Sequence, residues 1–140
     1  MSISVVYWSG TGNTQAMAEA VAEGIKAADQ EAELLEVGDA DAKTVAEEAA
    51  FALGCPAMGA EVLEESEMEP FVEELESYVS GKKILLFGSY GWGDGEWMRN
   101  WEKDCEDAGV NLVCESVTCC EAPDDAALSA CREMGKALAK

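Results

Sequence analysis

The fold can be predicted outward from the segment Val5-Val6-Tyr7-Trp8-Ser9-Gly10-Thr11-Gly12-Asn13-Thr14. It begins as an apolar run of β-branched and aromatic residues, which is typical of a strand buried on both faces of a parallel sheet. The run ends at a turn rich in glycines and hydroxyl side chains, and the next apolar positions, Met17, Val21 and Ile25, have helical spacing. A strand, a turn and a helix N-terminus of this kind direct free amide N–H groups toward one point. The stretch therefore predicts a site for a phosphate group.

The composition of this turn limits the kind of phosphate ligand. A nucleotide-hydrolysing P-loop needs Gly-Lys-Ser/Thr, but no lysine or arginine occurs before Lys26. The dinucleotide fingerprint needs a third glycine where this chain has Gln15. What remains is a cradle of amides and the hydroxyls of Ser9, Thr11 and Thr14, which suits one terminal phosphate monoester. The alternative is a plain glycine turn that joins a strand to a helix.

Apolar strands alternate with amphipathic helices along the rest of the chain. Further strands are predicted at residues 33–37, 51–55, 84–87 and 110–117, and a capping box at residues 66–69 is predicted to start one of the helices. Right-handed crossovers between such strands give a parallel sheet with helices on both faces. We predict one α/β domain over residues 1–140, a three-layer sandwich around a five-stranded parallel sheet of order 2-1-3-4-5.

Three loops of unusual composition follow strands one, three and four. They are residues 9–14, 55–61 and 89–95. In a sheet of this order, ligands bind beyond the carboxyl ends of the strands, at the switch point between strands one and three. The three loops are therefore predicted to form one pocket.

The charge balance excludes some classes of function. Acidic residues number 29 against 9 basic ones, a net charge of −20, so the chain lacks the basic face of a general nucleic-acid binder. The excess is compatible with plain solubility or with a partner that docks through a basic patch. The sequence has no run of about 18 apolar residues and no charged-then-apolar leader before the first strand. We expect a cytoplasmic protein without a membrane span.

The six cysteines predict neither a metal site nor a disulfide framework. The chain has no C-x-x-C pair and no histidine, and a chain of this size needs no covalent staples. Cys105 and Cys131 fall on apolar helix positions and Cys114 falls in a predicted strand, so we interpret them as small hydrophobic residues. The adjacent pair Cys119-Cys120 leaves a redox role open as an alternative.

Three motifs, in this order, resemble those of the flavodoxin family. They are Ser9-Gly10-Thr11-Gly12-Asn13-Thr14, Gly54-Cys55-Pro56-Ala57-Met58-Gly59-Ala60-Glu61 and Ser89-Tyr90-Gly91-Trp92-Gly93-Asp94-Gly95-Glu96-Trp97. The resemblance spans nearly all of the chain and is strongest to the short-chain flavodoxins of anaerobic bacteria. It implies a monomeric, low-potential electron carrier rather than an enzyme. The carrier would bind FMN non-covalently and shuttle it between the semiquinone and hydroquinone states. Its partners would be redox proteins with basic docking patches, namely reductases and ferredoxin-dependent enzymes.

The resemblance also implies roles for individual residues. The flavin ring would lie between Trp92 and Met58, and Glu61 would accept a hydrogen bond from the ring N3–H. Gly59 matches the residue whose peptide turns over on one-electron reduction, and because alanine resists positive φ we expect positive φ at Gly59 rather than at Ala60. The complete set of predicted FMN-binding residues is Ser9, Gly10, Thr11, Gly12, Asn13, Thr14, Pro56, Ala57, Met58, Gly59, Ala60, Glu61, Ser89, Tyr90, Gly91, Trp92 and Gly93.

The surroundings of the predicted flavin site are acidic. The three loops contain no basic residue, and nearby carboxylates should disfavour an anionic hydroquinone and so lower the potential of the second electron. These carboxylates are Glu61, Glu64, Glu65 and Asp94. Pro56 and Ala60 depart from the residues that are common in the family. Glu121 is a further departure, since a carboxylate there is expected to repel the phosphate unless it points away.

Other proteins with this strand order are alternatives. An FMN-dependent NAD(P)H oxidoreductase would need space for a nicotinamide where Trp92 stands, and a basic residue for the cofactor phosphate. A signalling receiver module is excluded, because Ser9, Cys55 and Thr118 occupy the positions where it requires acidic residues and a lysine. A nucleotide-binding regulator is a further alternative.

Overall fold

A parallel sheet forms the centre of the computed structural model, which describes residues 2–10, 12–58, 64, 66–91 and 95–139. Its strands are β1 (Ser2–Tyr7), β2 (Glu31–Glu36), β3 (Ala50–Gly54), β4 (Lys83–Tyr90), β5 (Asn111–Leu112) and β6 (Val117–Cys120). The helices are α1 (Asn13–Ala27), α2 (Ala42–Val45), α3 (Met68–Leu75), α4 (Glu96–Asp107) and α5 (Asp125–Leu138). The strands pair in the order β2-β1-β3-β4-β5, which confirms the predicted order 2-1-3-4-5.

Two hydrophobic cores lie on the two faces of this sheet. Successive strand residues point to opposite faces, so Val5 packs with α1 and α5 whereas Val6 packs with α2, α3 and α4. Both valines are fully buried, as predicted for a central strand covered on both sides. None of the helices in the described ranges combines the length and the hydrophobicity that a membrane span requires.

The predicted fifth strand is interrupted. β5 pairs with the start of β4 and β6 pairs with its end. Residues 113–116 span the same length of sheet as Leu85 and Leu86 on β4, because Leu112 pairs with Ile84 and Val117 with Phe87. Four residues cannot stay in register with two, so the chain bends out of the ladder between β5 and β6. The prediction of one continuous strand over residues 110–117 was wrong in this respect.

The predicted capping box at the start of α3 was also wrong. The carboxylate that caps the helix is that of Glu64, which accepts hydrogen bonds from the N–H of Ser66 (2.9 Å), Glu67 (2.6 Å) and Met68 (3.0 Å). The Ser66 hydroxyl donates to the same carboxylate. Burial alone would raise the pKa of Glu64, but these hydrogen bonds outweigh it and hold that pKa below its ordinary value.

The cysteines separate into buried and surface positions. Cys105 and Cys131 are buried helix residues as predicted, and burial raises the pKa of each thiol to about 12. Cys114 lies in the bend between β5 and β6 rather than in a strand. Cys119 and Cys120 are neighbours in β6, where alternation turns one thiol partly inward and the other to solvent. The two thiols of this pair therefore do not face each other.

Candidate functional site

A cavity of about 500 Å³ opens at the carboxyl edge of the sheet. It lies at the switch point between β1 and β3, where the strand order reverses. The described parts of all three predicted loops contribute to it, as do two residues that the sequence reasoning did not assign to the site. Its lining residues are Trp8, Gly10, Asn13, Pro56, Ala57, Met58, Ser89, Tyr90, Gly91 and Glu121.

One end of this cavity is formed by the start of α1. Gly12 precedes the helix with φ 93°, a conformation that glycine adopts without strain. Ser9 Oγ accepts hydrogen bonds from the N–H of Gly12 (3.0 Å) and of Gln15 (3.4 Å), while its own proton stays available to a further acceptor. The N–H groups of Asn13 and Thr14 have no acceptor in the part of the chain that the structure describes. This end of the cavity can therefore donate several hydrogen bonds to an anion.

The side chain of Thr14 lies beneath the loop rather than in the cavity wall. Its hydroxyl is 3.0 Å from the hydroxyl of Ser89, and both residues are almost completely buried. This contact ties the start of α1 to the end of β4. The Thr14 hydroxyl, which the sequence predicts to bind phosphate, thus also holds two of the three loops together, and its role toward phosphate stays a prediction.

The other end of the cavity has apolar walls. Pro56, Ala57 and Met58 follow β3 and form one wall, and Tyr90 lies on the β4 side. The Ala57 N–H donates to the Ser89 carbonyl at 2.9 Å, which fixes the loop after β3 against the end of β4. Apolar walls with a few fixed polar groups are typical of pockets for flat aromatic cofactors.

A second cavity, of about 350 Å³, adjoins the first. Trp8 lines both cavities. Burial, followed by the charges of Glu36, Glu19 and Asp39, raises the pKa of Tyr7, which indicates negative potential in this region. No lysine or arginine occurs among the described residues that line either cavity. The second cavity is lined by Tyr7, Trp8, Ser9, Glu36, Val37, Gly38, Asp39 and Glu67.

Several predicted site residues lie outside the described part of the chain. They are Thr11, Gly59, Ala60, Glu61, Trp92 and Gly93. The stacking role of Trp92, the N3–H contact of Glu61 and the conformation at Gly59 and Ala60 stay predictions. Glu65 and Asp94 also lie outside the described residues, and Glu64, predicted as part of the acidic surroundings, caps α3 instead of lining the cavity.

Two residues at the cavity were missed as site residues. Trp8 follows Tyr7 at the carboxyl end of β1, and its position as the last apolar residue before the turn was the signal for it. Glu121 belongs to a fourth loop, between β6 and α5, and its N–H donates to the Tyr90 carbonyl at 2.6 Å. It thus borders the end of β4 and lines the same cavity as Gly10 and Asn13, and the expectation that its carboxylate repels the phosphate unless it points away stays a prediction.

The two ends of the cavity fit a ligand that has a phosphate at one end and a flat apolar group at the other. The family model described as Flavodoxin matches residues 5–135. The chain belongs to the flavodoxin family. A flavodoxin of Clostridium beijerinckii is 47% identical to it over 137 residues, which are 98% of this chain and 99% of the relative. A flavodoxin of Megasphaera elsdenii is 46% identical over 138 residues, 99% of this chain and 98% of the relative.

Solved flavodoxin structures share the fold over almost their whole length. The solution structure of two-electron reduced Megasphaera elsdenii flavodoxin has a TM-score of 0.90 and 45% identity, covering 99% of this chain and 98% of that one. A flavodoxin from the domain Archaea has a TM-score of 0.87 and 29% identity, and the match covers 99% of this chain and 96% of that one.

Family membership confirms the predicted function at the level of the cofactor and the reaction class. This flavodoxin is an electron carrier that uses FMN and serves redox partner proteins, and it is not an enzyme. The alternative of an FMN-dependent NAD(P)H oxidoreductase is not favoured, because the highly similar relatives are flavodoxins. The anion-binding end and the apolar walls of the cavity fit this cofactor.

Proposed function

We propose that the chain is a low-potential, one-electron carrier whose FMN is held by the loops after β1, β3 and β4. The observation that carries this proposal is the cavity of about 500 Å³ at the switch point, with hydrogen-bond donors at one end and apolar walls at the other. Bound FMN supplies reversible one-electron chemistry. The protein contributes binding, orientation and the charge environment.

The start of α1 binds the phosphate in this proposal. The N–H groups of Asn13 and Thr14 and the hydroxyl of Ser9 donate to it, and the positive end of the helix dipole stabilises its charge. Gly10 borders the same cavity, and Thr11 and Gly12 complete the loop. Because no cation lines the described part of the cavity, backbone groups supply the stabilisation. Because these donors are neutral, they hold the phosphate without adding a positive charge that would favour reduction of the cofactor.

The loops after β3 and β4 hold the ring. Met58 and Trp92 cover its two faces, which excludes water, and Glu61 accepts a hydrogen bond from its polar edge. The Ala57 to Ser89 hydrogen bond supports this arrangement by holding both loops at a fixed distance. A dry site beside carboxylates disfavours additional negative charge, so the protein lowers the potential of its cofactor.

The surface charge supports partners with basic docking patches. The net charge is −20, and the second cavity places the carboxylates of Glu36, Asp39 and Glu67 beside Trp8, which also borders the FMN cavity. Long-range attraction would steer a basic reductase or ferredoxin-dependent enzyme toward this edge, and salt would weaken it. We also propose that the protein is monomeric and acts in the cytoplasm.

FMN should bind far more tightly than riboflavin, which has the same ring but no phosphate. A hydrogen bond to a charged group contributes about 1.5–3 kcal/mol, and losing two or more of them should weaken riboflavin binding at least about 100-fold. Titration of the apoprotein with each flavin, followed by quenching of flavin fluorescence, measures both dissociation constants. Equal affinities would contradict the phosphate site at the start of α1.

A further inference from the structure

Cys55 lies directly after β3, where the apolar wall of the cofactor cavity begins. It is fully buried, and its backbone is held on both sides. The Cys55 N–H donates to the Phe87 carbonyl at 3.1 Å, and the Cys55 carbonyl accepts from Trp97 Nε1 at 3.1 Å. The thiol therefore projects from a fixed part of the backbone.

The Cys55 thiol contacts both ends of the loop that forms this wall. It donates to the Pro56 carbonyl at 3.4 Å and accepts a hydrogen bond from the Glu64 N–H at 3.4 Å. Glu64 is held in turn, because its carboxylate caps α3 and its carbonyl accepts from the Glu69 N–H at 2.8 Å. The thiol thus joins the first residue of the loop to the residue that caps α3.

The hydrogen bond to Pro56 orients one peptide of the cavity wall. The Pro56 carbonyl and the Ala57 N–H belong to the same planar peptide unit. The thiol donates to the carbonyl of this unit, and its N–H donates to the Ser89 carbonyl at 2.9 Å. The peptide cannot turn without breaking these hydrogen bonds. Because Pro56 and Ala57 both line the cavity, the orientation of this peptide sets the shape of the wall.

The protonation state of the thiol suits this contact. Burial raises the pKa of Cys55 to about 12, although the hydrogen bond from the Glu64 N–H lowers it. The thiol therefore keeps its proton at neutral pH and can act as a donor. The Glu64 N–H occupies the acceptor side of the sulfur, which leaves the S–H for the Pro56 carbonyl.

We propose that the Cys55 thiol is a positioning residue of the cofactor site and holds the wall of Pro56, Ala57 and Met58 against which the flavin ring packs. The inference rests on the proposed function, since it requires the FMN ring at this end of the cavity. A wall that is already ordered binds a flat ring more tightly than one that must be ordered on binding. The thiol therefore strengthens the binding of any flavin that carries this ring, with or without a phosphate.

The test compares Cys55→Ala and Cys55→Ser with Cys131→Ala. Alanine removes the thiol, whereas the serine hydroxyl can still donate and accept. Cys131 is equally buried but lies in the core on the opposite face of the sheet, so Cys131→Ala removes the same atom without touching the wall. Fluorescence quenching measures the dissociation constants of FMN and riboflavin. Visible circular dichroism reports the surroundings of the bound ring, and urea unfolding of the apoproteins measures stability.

Cys55→Ala should weaken the binding of FMN and of riboflavin by the same factor, at least about threefold, since one hydrogen bond contributes up to about tenfold. It should also change the visible circular dichroism of bound FMN. Cys55→Ser should recover most of the affinity and of the spectrum. Cys131→Ala should lower the stability of the apoprotein but change neither dissociation constant nor the spectrum. Should Cys55→Ala not fold, Cys55→Val takes its place, because valine fills the space but cannot donate.

Three results would overturn the inference while leaving the proposed function intact. They are unchanged FMN binding in the variant that lacks a donor at position 55, an equal loss of FMN binding in Cys131→Ala, and a loss for FMN with riboflavin unaffected. A Cys55→Ser protein that binds FMN as weakly as Cys55→Ala would overturn the role of the thiol as a donor. Failure of the unsubstituted protein to bind FMN would overturn both the inference and the proposed function.

Discussion

Gly88→Ala should destabilise the protein by about 3 kcal/mol and weaken FMN binding at least tenfold. A Cβ at Gly88 would lie 2.2 Å from the carbonyl oxygen of Cys55 and 3.2 Å from the Trp97 ring. The Cys55 backbone cannot move independently, because its N–H donates to the Phe87 carbonyl and its carbonyl accepts from Trp97 Nε1. The clash must therefore separate the end of β3 from β4, and overpacking of this kind commonly costs about 1–3 kcal/mol or more.

The effect on FMN follows from the place of this clash. Cys55 precedes the wall of Pro56, Ala57 and Met58, and Gly88 precedes Ser89, so the substitution widens the base of the cavity. Urea unfolding of the apoprotein measures the stability, and FMN titration measures the affinity. Gly91→Ala is the control for stability, since a Cβ at Gly91 meets no atom of the described residues within 4 Å. A Gly88→Ala protein as stable as the Gly91→Ala protein would contradict the close contact of β3 and β4.

Glu64→Gln should destabilise the protein by about 2 kcal/mol at pH 7. Glu64 is buried, with 6% of the residue exposed, and its carboxylate accepts hydrogen bonds from three backbone N–H groups and one hydroxyl. The glutamine amide carries no charge, and its NH₂ group would face N–H donors. Some of the hydrogen bonds that the carboxylate accepts are therefore lost. Urea unfolding measures the difference, with Glu67→Gln as the control because the Glu67 side chain makes no capping hydrogen bond.

The pH dependence of this difference is a second readout. The pKa of Glu64 is lower in the folded protein than its ordinary value, so the carboxylate stabilises the fold above the unfolded-state pKa of about 4.3. That contribution is lost as the pH falls through the lowered folded-state pKa. The gap between Glu64→Gln and the unsubstituted protein should therefore narrow between pH 7 and pH 3. A gap that is constant over this range would show that packing, rather than charge, is responsible.

The sheet order and the position of the site could be predicted because they follow from few constraints. The apolar run from Val5 to Trp8 and the glycine turn after it predict a buried parallel strand followed by a helix. The same alternation of strand and helix recurs along the chain. Strand polarity then brings the loops after β1, β3 and β4 to one edge of the sheet. These inferences need only the pattern of apolar residues and the handedness of crossovers.

Details that depend on register or on competition between donors could not be predicted. The apolar pattern of residues 110–117 does not reveal the register with β4, in which residues 113–116 lie opposite only two residues of β4. Ser66 and Glu69 fit the spacing of a capping box, but in the folded chain the Glu64 carboxylate accepts the hydrogen bonds of the N–H groups of residues 66–68. A sequence pattern shows which residues can cap a helix, and the fold decides which one does.

The missed site residues have a common cause. Trp8 was interpreted as the end of a strand and Glu121 as a departure from a family pattern, and neither carries a local motif. Both reach the cavity because of long-range pairing, of β1 with β3 in one case and of β6 with β4 in the other. Such contacts join residues that are far apart in the sequence, so local spacing cannot reveal them.

An anaerobic titration of the FMN-loaded protein with dithionite, followed by visible absorbance, distinguishes a one-electron carrier from an oxidoreductase. A one-electron carrier should be reduced in two separate steps, with a one-electron-reduced form that absorbs at long wavelength accumulating before a second step at much lower potential. Reduction in a single two-electron step, above all by NAD(P)H alone, would contradict one-electron transfer and indicate an oxidoreductase.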